Sequence, residues 1–594
     1  MYQAKASESL TPKIRAQLWA ANHGHDDREG IAEILLRIPQ RYHGKLLKGY
    51  SENLRTWGRR EANLLMLEIG YSFRDARLSP AATDSEIRSE AENAAGKAWG
   101  IATRYKEEKA IRGAFLRLAD SYKIEPPKEQ DFGRLFNRMT SPLWWRRKLR
   151  RKFQKAEAAL IRMGFVHRHA APYLSDEAYA RFEAQQRNTA RLLESLEALN
   201  PETGECFVLS ELAEHSQSNP ANRRAEVMVR VKGMEAYAEE NGYVGVWFTI
   251  TCPSRMHAYL ESGEPNPRYD GTTTKRAHAY LQKKVWELAR SALDRAGVEY
   301  FGLRVVEPHH DGTPHWHGMA FVKPKQEGVF TETMRAYALR ESPEEPGAKQ
   351  HRFKVERIDK AKGGAAAYIA KYIAKNLDGH QVGRDFEAQG PAERTAPRAV
   401  AWARLWGIRQ FQPFGTPAVT VWRELRRIKE LTPAQEALIG AVWKAADEGN
   451  FAEYMRLQMD KANRLAPMWQ EEESKCYRGE KTKRVVGLVL PSLHEDQPAY
   501  FVTHGASWEI RFKDKTEATE GRFGPPWTRV NNCTRLDLRG IPGESFSENG
   551  SPDELPVIGA FPPSRRAEKE KPPIGSYPKR RLSNTDSTGR SIAP

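Results

Sequence analysis

The chain has 594 residues, 94 Lys and Arg against 77 Asp and Glu, and a formal net charge of +17. That length spans several domains of about 100–200 residues each, and the cationic excess suits a phosphate-rich or otherwise acidic partner. Cys206, Cys252, Cys476 and Cys533 have no short spacing, no stretch approaches about 18 consecutive apolar residues, and the N-terminus lacks a signal-type apolar core; a disulfide framework, a cysteine zinc site, secretion and membrane spanning are disfavoured, and a reducing cytoplasm is expected.

Residues 1–135 read as helical, with Ala, Leu, Glu and Arg recurring at spacings of three and four and no legible role. Residues 136–238 are a basic helical region. Within it, Trp144–Lys155 packs seven basic residues and three aromatics into twelve positions with no acid. Arg146, Arg147, Lys148, Arg150, Arg151 and Lys152 are candidate DNA contacts, on a helix that tracks phosphates and stacks bases, or else a solvated cationic face. Helical periodicity then continues over 174–240, most clearly through DEAYARFEAQQRNTARLLESLEAL.

At Gly242 the pattern changes, and residues 239–430 read as one α+β domain. Tyr243–Cys252 is a β-rich run ended by Pro253, and Thr274–Ala296 is helical. Tyr300–Glu307 and His315–Val322 are strands joined by a turn containing Asp311-Gly312, a hairpin signal. After a doubled Tyr-Ile-Ala-Lys come a strand at Trp406–Gln412 and a helix at Val419–Leu431. Residues 431–559 begin helical, over Thr432–Leu465, and become mixed. Residues 560–594, rich in Pro, Ser and Arg, are expected to form a disordered basic tail.

His-x-His is weak by itself, since sixteen histidines in 594 residues give about half an instance by chance, and the chain has three. His23-Gly-His25 sits in a polar segment, and His167-Arg-His169 follows a helix end. His315-Trp-His317 alone falls in a strand, where i and i+2 project from one face and can hold one ion together. If the hairpin loop has an odd residue count, Glu307 and His309 share that face, and Glu307 completes a two-His, one-carboxylate set with positions open for substrate oxygens. The competing reading is of ordinary strand histidines with hydrogen-bonded side chains.

In a helix, Tyr368 and Tyr372 differ by only about 40° and emerge from one face, with Lys371 and Lys375 on the adjoining stripe. Such a stripe is often core or interface. A tyrosine with a pKa near 10 is a poor nucleophile at neutral pH, so attack on a phosphodiester needs a cation. A metal held by His315, His317 and Glu307 supplies one, and Lys371 and Lys375 can neutralise phosphate charge or lower a tyrosine pKa.

Thr249-Ile-Thr-Cys-Pro-Ser254, Pro314-His-Trp-His-Gly318 and Tyr368-Ile-Ala-Lys-Tyr-Ile-Ala-Lys375, in that order, resemble the three motifs of HUH endonucleases. The replication gene A proteins of temperate tailed phages, which initiate rolling-circle replication, resemble the chain most, over about residues 240–430. The resemblance implies a nuclease domain with a central antiparallel sheet of about five strands flanked by helices, histidines on a middle strand and tyrosines on a nearby helix. It carries over His315 and His317 as metal ligands, with Glu307 preferred to His309 as the third and Mg2+ or Mn2+ as the ion.

The implied reaction is strand transfer at an origin. One tyrosine forms a 5′-phosphotyrosine and frees a 3′-OH, and the second cuts the regenerated site so that the displaced strand is rejoined. Single-stranded or supercoiled origin DNA is the implied substrate, in the cytoplasm of a bacterial host. The sequence contains no G-x-x-x-x-G-K-[ST] phosphate loop, so unwinding is expected from a host helicase and replication machinery. Two other classes remain open: a two-His, one-carboxylate oxygenase, and a DNA-binding protein without catalysis in which the tyrosines stack on bases.

Overall fold

Short runs rich in β-branched and aromatic residues, buried on both faces, build a five-stranded antiparallel sheet. Its strands are β1 (Val244–Ile250), β2 (Tyr300–Pro308), β3 (Pro314–Val322), β4 (Phe353–Arg357) and β5 (Phe411–Phe414), in the spatial order β4-β1-β3-β2-β5. The computed structural model describes residues 6–513 apart from 23–25, 74–81, 129, 461–463, 475–476, 478–479, 492–497 and 506. His23-Gly-His25 and the expected tail at 560–594 lie outside the described residues. The fold is α+β, as the order of elements implied.

Both faces of the sheet are covered. Phe248, Val306, Trp316 and Ala320 point to one face, where they share a core with Trp286 and with Leu18, Leu46, Tyr50 and Met66 of the N-terminal helices. Trp247, Leu303, Val305 and Met319 point to the other, against Val231 and Met234 of the helix Pro220–Glu240 and Ile369 and Ile373 of the helix Gly364–Lys375. Phe248 lies directly opposite Gly318 in the register. A Cβ on Gly318 would come within 2.2 Å of the Phe248 ring, so the glycine after the histidine motif is what lets that ring cross β3.

The N-terminal region is helical as expected, in elements such as His43–Trp57, Arg59–Phe73 and Asp84–Arg104, the last started by a Thr83–Glu86 capping box. The helix expected at Thr274–Ala296 runs as Thr274–Tyr280, a π turn at Leu281–Trp286 and Glu287–Arg295.

Four local expectations change. The helical period through Leu199 stops at Ser195, and Leu196–Leu199 is a strand between Cys206–Val208 and Glu509–Phe512. Leu196 and Ala198 bury there against Trp508 and Ile510, and tertiary pairing overrides local propensity. Trp406 ends a helix, Ala392–Trp406, which Gly407 terminates at a φ of 67°, so the last central strand begins only at Phe411. The helix at Val419 closes at Leu425, and Thr432–Leu465 divides into Pro433–Asp447 and Phe451–Gln458. Between those two helices, Gly449 has a φ of 77° and the Asn450 side chain caps the second.

Candidate metal centre and tyrosine helix

The β2–β3 hairpin pairs Glu307 with His315 and Val305 with His317. Its connection, residues 309–313, is closed by a 2.8 Å bond from the His309 N–H to the Thr313 carbonyl, with Gly312 supplying a positive φ of 79°. This odd count puts Glu307, His315 and His317 on one face. Their ligand atoms all lie within 4.8 Å of one another, and among the described residues this is the group of His, Cys, Asp and Glu so arranged. Glu307 Oε2 is 3.6 Å from His315 Nε2 and 3.5 Å from His317 Nε2.

Two imidazoles and one carboxylate suit a divalent ion. His317 Nδ1 is 3.0 Å from the Thr249 hydroxyl, which leaves Nε2 for an ion. His315 Nδ1 is buried without a hydrogen-bond partner. His309 stands outside the triad; its ring is 4.0 Å from that of His315, and its Nδ1 is 3.5 Å from Glu387 Oε2.

Glu307 is enclosed. The Asn376 amide donates to Oε1 at 2.6 Å, and the Lys375 ammonium is 3.5 Å from Oε2 and 3.2 Å from Asp385. Asp385 in turn accepts from the Tyr173 and Thr395 hydroxyls. Burial alone would raise the Glu307 pKa, but the charge of Lys375 and hydrogen bonds from His317 and Asn376 hold it below the usual carboxylate range. Burial lowers Lys375, and the carboxylates of Glu307, Asp385 and Glu387 outweigh it, so the ammonium stays charged. Burial, reinforced by neighbouring cations, drives His315 well below its ordinary value. His317 is also lowered, by burial acting against Glu307. Neutral imidazoles beside an ionised carboxylate are the protonation states that metal ligation requires.

The tyrosine helix, Gly364–Lys375, buries Ile369 and Ile373 and turns its tyrosines toward β1. The Tyr372 ring lies 4.0 Å from the His317 ring and stacks on Trp247 at 5.0 Å, while Tyr368, one turn away, reaches Trp247 at 6.1 Å. Burial and then the Glu307 charge push Tyr372 up to about 12, with Lys375 opposing them. The two lysines of the repeat separate. Lys371 is exposed beside the Phe386 ring, whereas Lys375 is buried between Glu307 and Asp385. Tyr372, His315, His317, Trp247, Thr249 and Glu387 line one cleft of about 1090 Å3.

The basic run lies on the helix Pro142–Arg162, with Trp144, Trp145 and Phe153 in the N-terminal core rather than presented to bases. Arg146 and Arg150 both pair with Asp84, at 2.8 and 2.9 Å. Lys148 donates to the Glu125 carbonyl, Arg147 bonds Tyr477, and Arg147 and Arg151 are exposed. Sequence reasoning missed Asn376, Asp385 and Tyr173. Asn376 directly follows the repeat, which is a local signal; Asp385 and Tyr173 reach the site only through the fold.

Residues 86–380 match the family model described as bacteriophage replication gene A protein (GPA). The chain is 33% identical over 487 residues to the replication gene A protein of Escherichia phage 186, covering 78% of this chain and 67% of that one. It is 36% identical over 408 residues to a probable replication protein P12 of Pseudoalteromonas phage PM2, with 67% and 61% covered. A probable replication endonuclease from a prophage-like region of Salmonella paratyphi A is 35% identical over 462 residues, with 74% and 55% covered. The chain thus spans between about half and two thirds of the length of these relatives. No solved structure matches it.

Proposed function

The chain belongs to the bacteriophage replication gene A protein family, and from that premise we propose that it is an HUH-type, metal-dependent single-strand endonuclease and strand transferase that initiates rolling-circle replication. The observation that carries this reading is the Tyr372 ring packed 4.0 Å from the ring of His317, a member of the metal-binding group.

Glu307, His315 and His317 would hold Mg2+ or Mn2+, which when bound would supply positive charge to polarise the scissile phosphate. A tyrosine oxygen attacks phosphorus as the bond from phosphorus to the 3′ oxygen breaks, and the proton given up by the tyrosine is balanced by the one the departing 3′ oxygen takes up from solvent, leaving a 5′-phosphotyrosine and a 3′-OH that primes synthesis. Phosphodiester energy is kept in the protein link, so nicking and closure need no ATP. With its pKa near 12, Tyr372 is a weak nucleophile until positive charge is added beside it.

Tyr368, on the same helical face, cuts the regenerated site after one round, and the liberated 3′-OH attacks the first phosphotyrosine to close the circle. Lys375 tempers the Tyr372 pKa from behind, while Lys371 is free to meet phosphate. Arg147 and Arg151, with Lys148 and Lys152 beside them, add a salt-sensitive grip on the DNA, while Arg146 and Arg150 stay paired with Asp84. A host helicase unwinds the DNA.

The test is nicking of a supercoiled plasmid that carries cloned fragments of the genome encoding the chain. Open circles should form with Mg2+ or Mn2+, vanish with a chelator, and be absent for His315→Ala. Nicking by His315→Ala at the wild-type rate would reject the reading.

A further inference from the structure

We propose that Asn376 sets the register between the tyrosine helix and the carboxylate of the metal site, acting as a positioning residue. The proposal rests on the metal-dependent nicking reading and concerns its geometry. Asn376 is the C-terminal cap of the tyrosine helix and is fully buried.

Its side chain makes three hydrogen bonds, and together they need an amide. One amide hydrogen goes to Glu307 Oε1 at 2.6 Å, and the other to the backbone carbonyl of Tyr372 at 2.8 Å. Its Oδ1 accepts from Gln410 Nε2 at 2.8 Å. A carboxylate has no hydrogen to give either acceptor, and an apolar isostere has nothing to give or accept. Gln410 is itself anchored, because its backbone carbonyl accepts the N–H of Val306, one residue before Glu307, at 2.8 Å.

Two consequences follow. The short bond to Oε1 fixes the rotation of the Glu307 carboxylate, so that Oε2, which also meets the Lys375 ammonium at 3.5 Å, faces both histidines at 3.5 and 3.6 Å. The same NH2 group fixes the height of the Tyr372 carbonyl relative to that carboxylate. Lys375 supplies charge to Glu307 and Asn376 supplies direction. Tyr368, a full turn nearer the helix start, is less tied to this contact than Tyr372 is.

The test uses the full chain with Mn2+ as the probe. Calorimetry without DNA should show Mn2+ binding about 10–100-fold weaker in Asn376→Ala than in the wild type, the usual size of losing a partner that orients a metal ligand. Gln410→Ala, which keeps Asn376 but frees its Oδ1, should weaken Mn2+ in the same direction by less, and it carries the test if Asn376→Ala does not fold. At saturating Mn2+, Asn376→Ala should slow adduct formation at least about tenfold when only Tyr372 is present (Tyr368→Phe background), since a shift of about 1 Å can cost 100-fold. It should slow it less when only Tyr368 is present.

Unchanged Mn2+ affinity in Asn376→Ala, or in Gln410→Ala where Asn376→Ala does not fold, would overturn the proposal, as would equal slowing at the two tyrosines. A wild-type chain that binds Mn2+ normally while Asn376→Ala does so too would sink the positioning role alone. A wild-type chain that binds no Mn2+ would overturn the metal reading and this proposal with it.

Discussion

Lys375→Met separates a buried electrostatic lock from a phosphate contact. The wild-type ammonium sits 3.5 Å from Glu307 and 3.2 Å from Asp385, with its side chain 7% exposed. Methionine keeps the length and removes the charge, leaving two buried carboxylates. Removing one partner of a buried pair costs about 3–5 kcal/mol. Here the Asn376 amide and the Tyr173 and Thr395 hydroxyls remain as donors to those carboxylates, which places the expected cost near the lower end, about 3 kcal/mol.

A chain of this size does not unfold in one step, so the readout should be local. In hydrogen exchange, peptides covering residues 364–378 should open roughly 100-fold more readily in the variant without metal, the equivalent of about 3 kcal/mol. Added Mn2+ should then protect the variant more than the wild type, because the bound charge replaces the one removed. The difference depends on pH with a definite sign. Glu307 is held below its ordinary value, so the stability it gains from Lys375 is present above about pH 4.3 and is lost as pH falls through the lowered value. Unchanged protection, together with a loss of DNA affinity and a salt slope smaller by about 0.7, would refute the lock and place Lys375 on a phosphate.

Gly318→Ala should force the Phe248 ring aside and destabilise the sheet by about 1–3 kcal/mol, with nicking falling in parallel; unaltered hydrogen-exchange protection of peptides covering residues 244–250 and 314–322 would contradict the packing described. Asp84→Asn should release Arg146 and Arg150 and steepen the salt dependence of single-strand binding by up to about 1.4, read from binding titrations between 50 and 200 mM salt. Glu307→Gln should weaken Mn2+ binding by at least about tenfold in calorimetry while leaving DNA affinity without metal intact.

The chemistry was more legible in the sequence than the architecture around it. The strand around His315-Trp-His317 is legible from its apolar and aromatic run, the Asp311-Gly312 turn marks its hairpin partner, and an odd loop count puts Glu307 on the same face. The tyrosine helix was legible because its apolar residues, Ile369 and Ile373, keep a helical period. The edge strand Phe353–Arg357 is not legible in the sequence because its alternation is short and mostly charged, and its pairing with β1 spans about a hundred residues of chain. The run Trp144–Lys155 shows the opposite failure. Composition suggested a stacking surface, but Trp145, fully buried, donates its indole N–H to the Met139 carbonyl at 2.6 Å. Asp385 and Tyr173 could not be found at all, since 212 residues separate two side chains that share one hydrogen bond.

The most direct test of the central claim is mass spectrometry of the chain after incubation with Mn2+ and single-stranded fragments tiling the genome that encodes it. A denaturation-resistant adduct should form, with the 5′-phosphate mapped to Tyr368 or Tyr372, persisting in each single Tyr→Phe variant and lost in the double variant. An adduct that survives in the double variant, or none in the wild type with either Mg2+ or Mn2+, would contradict the account.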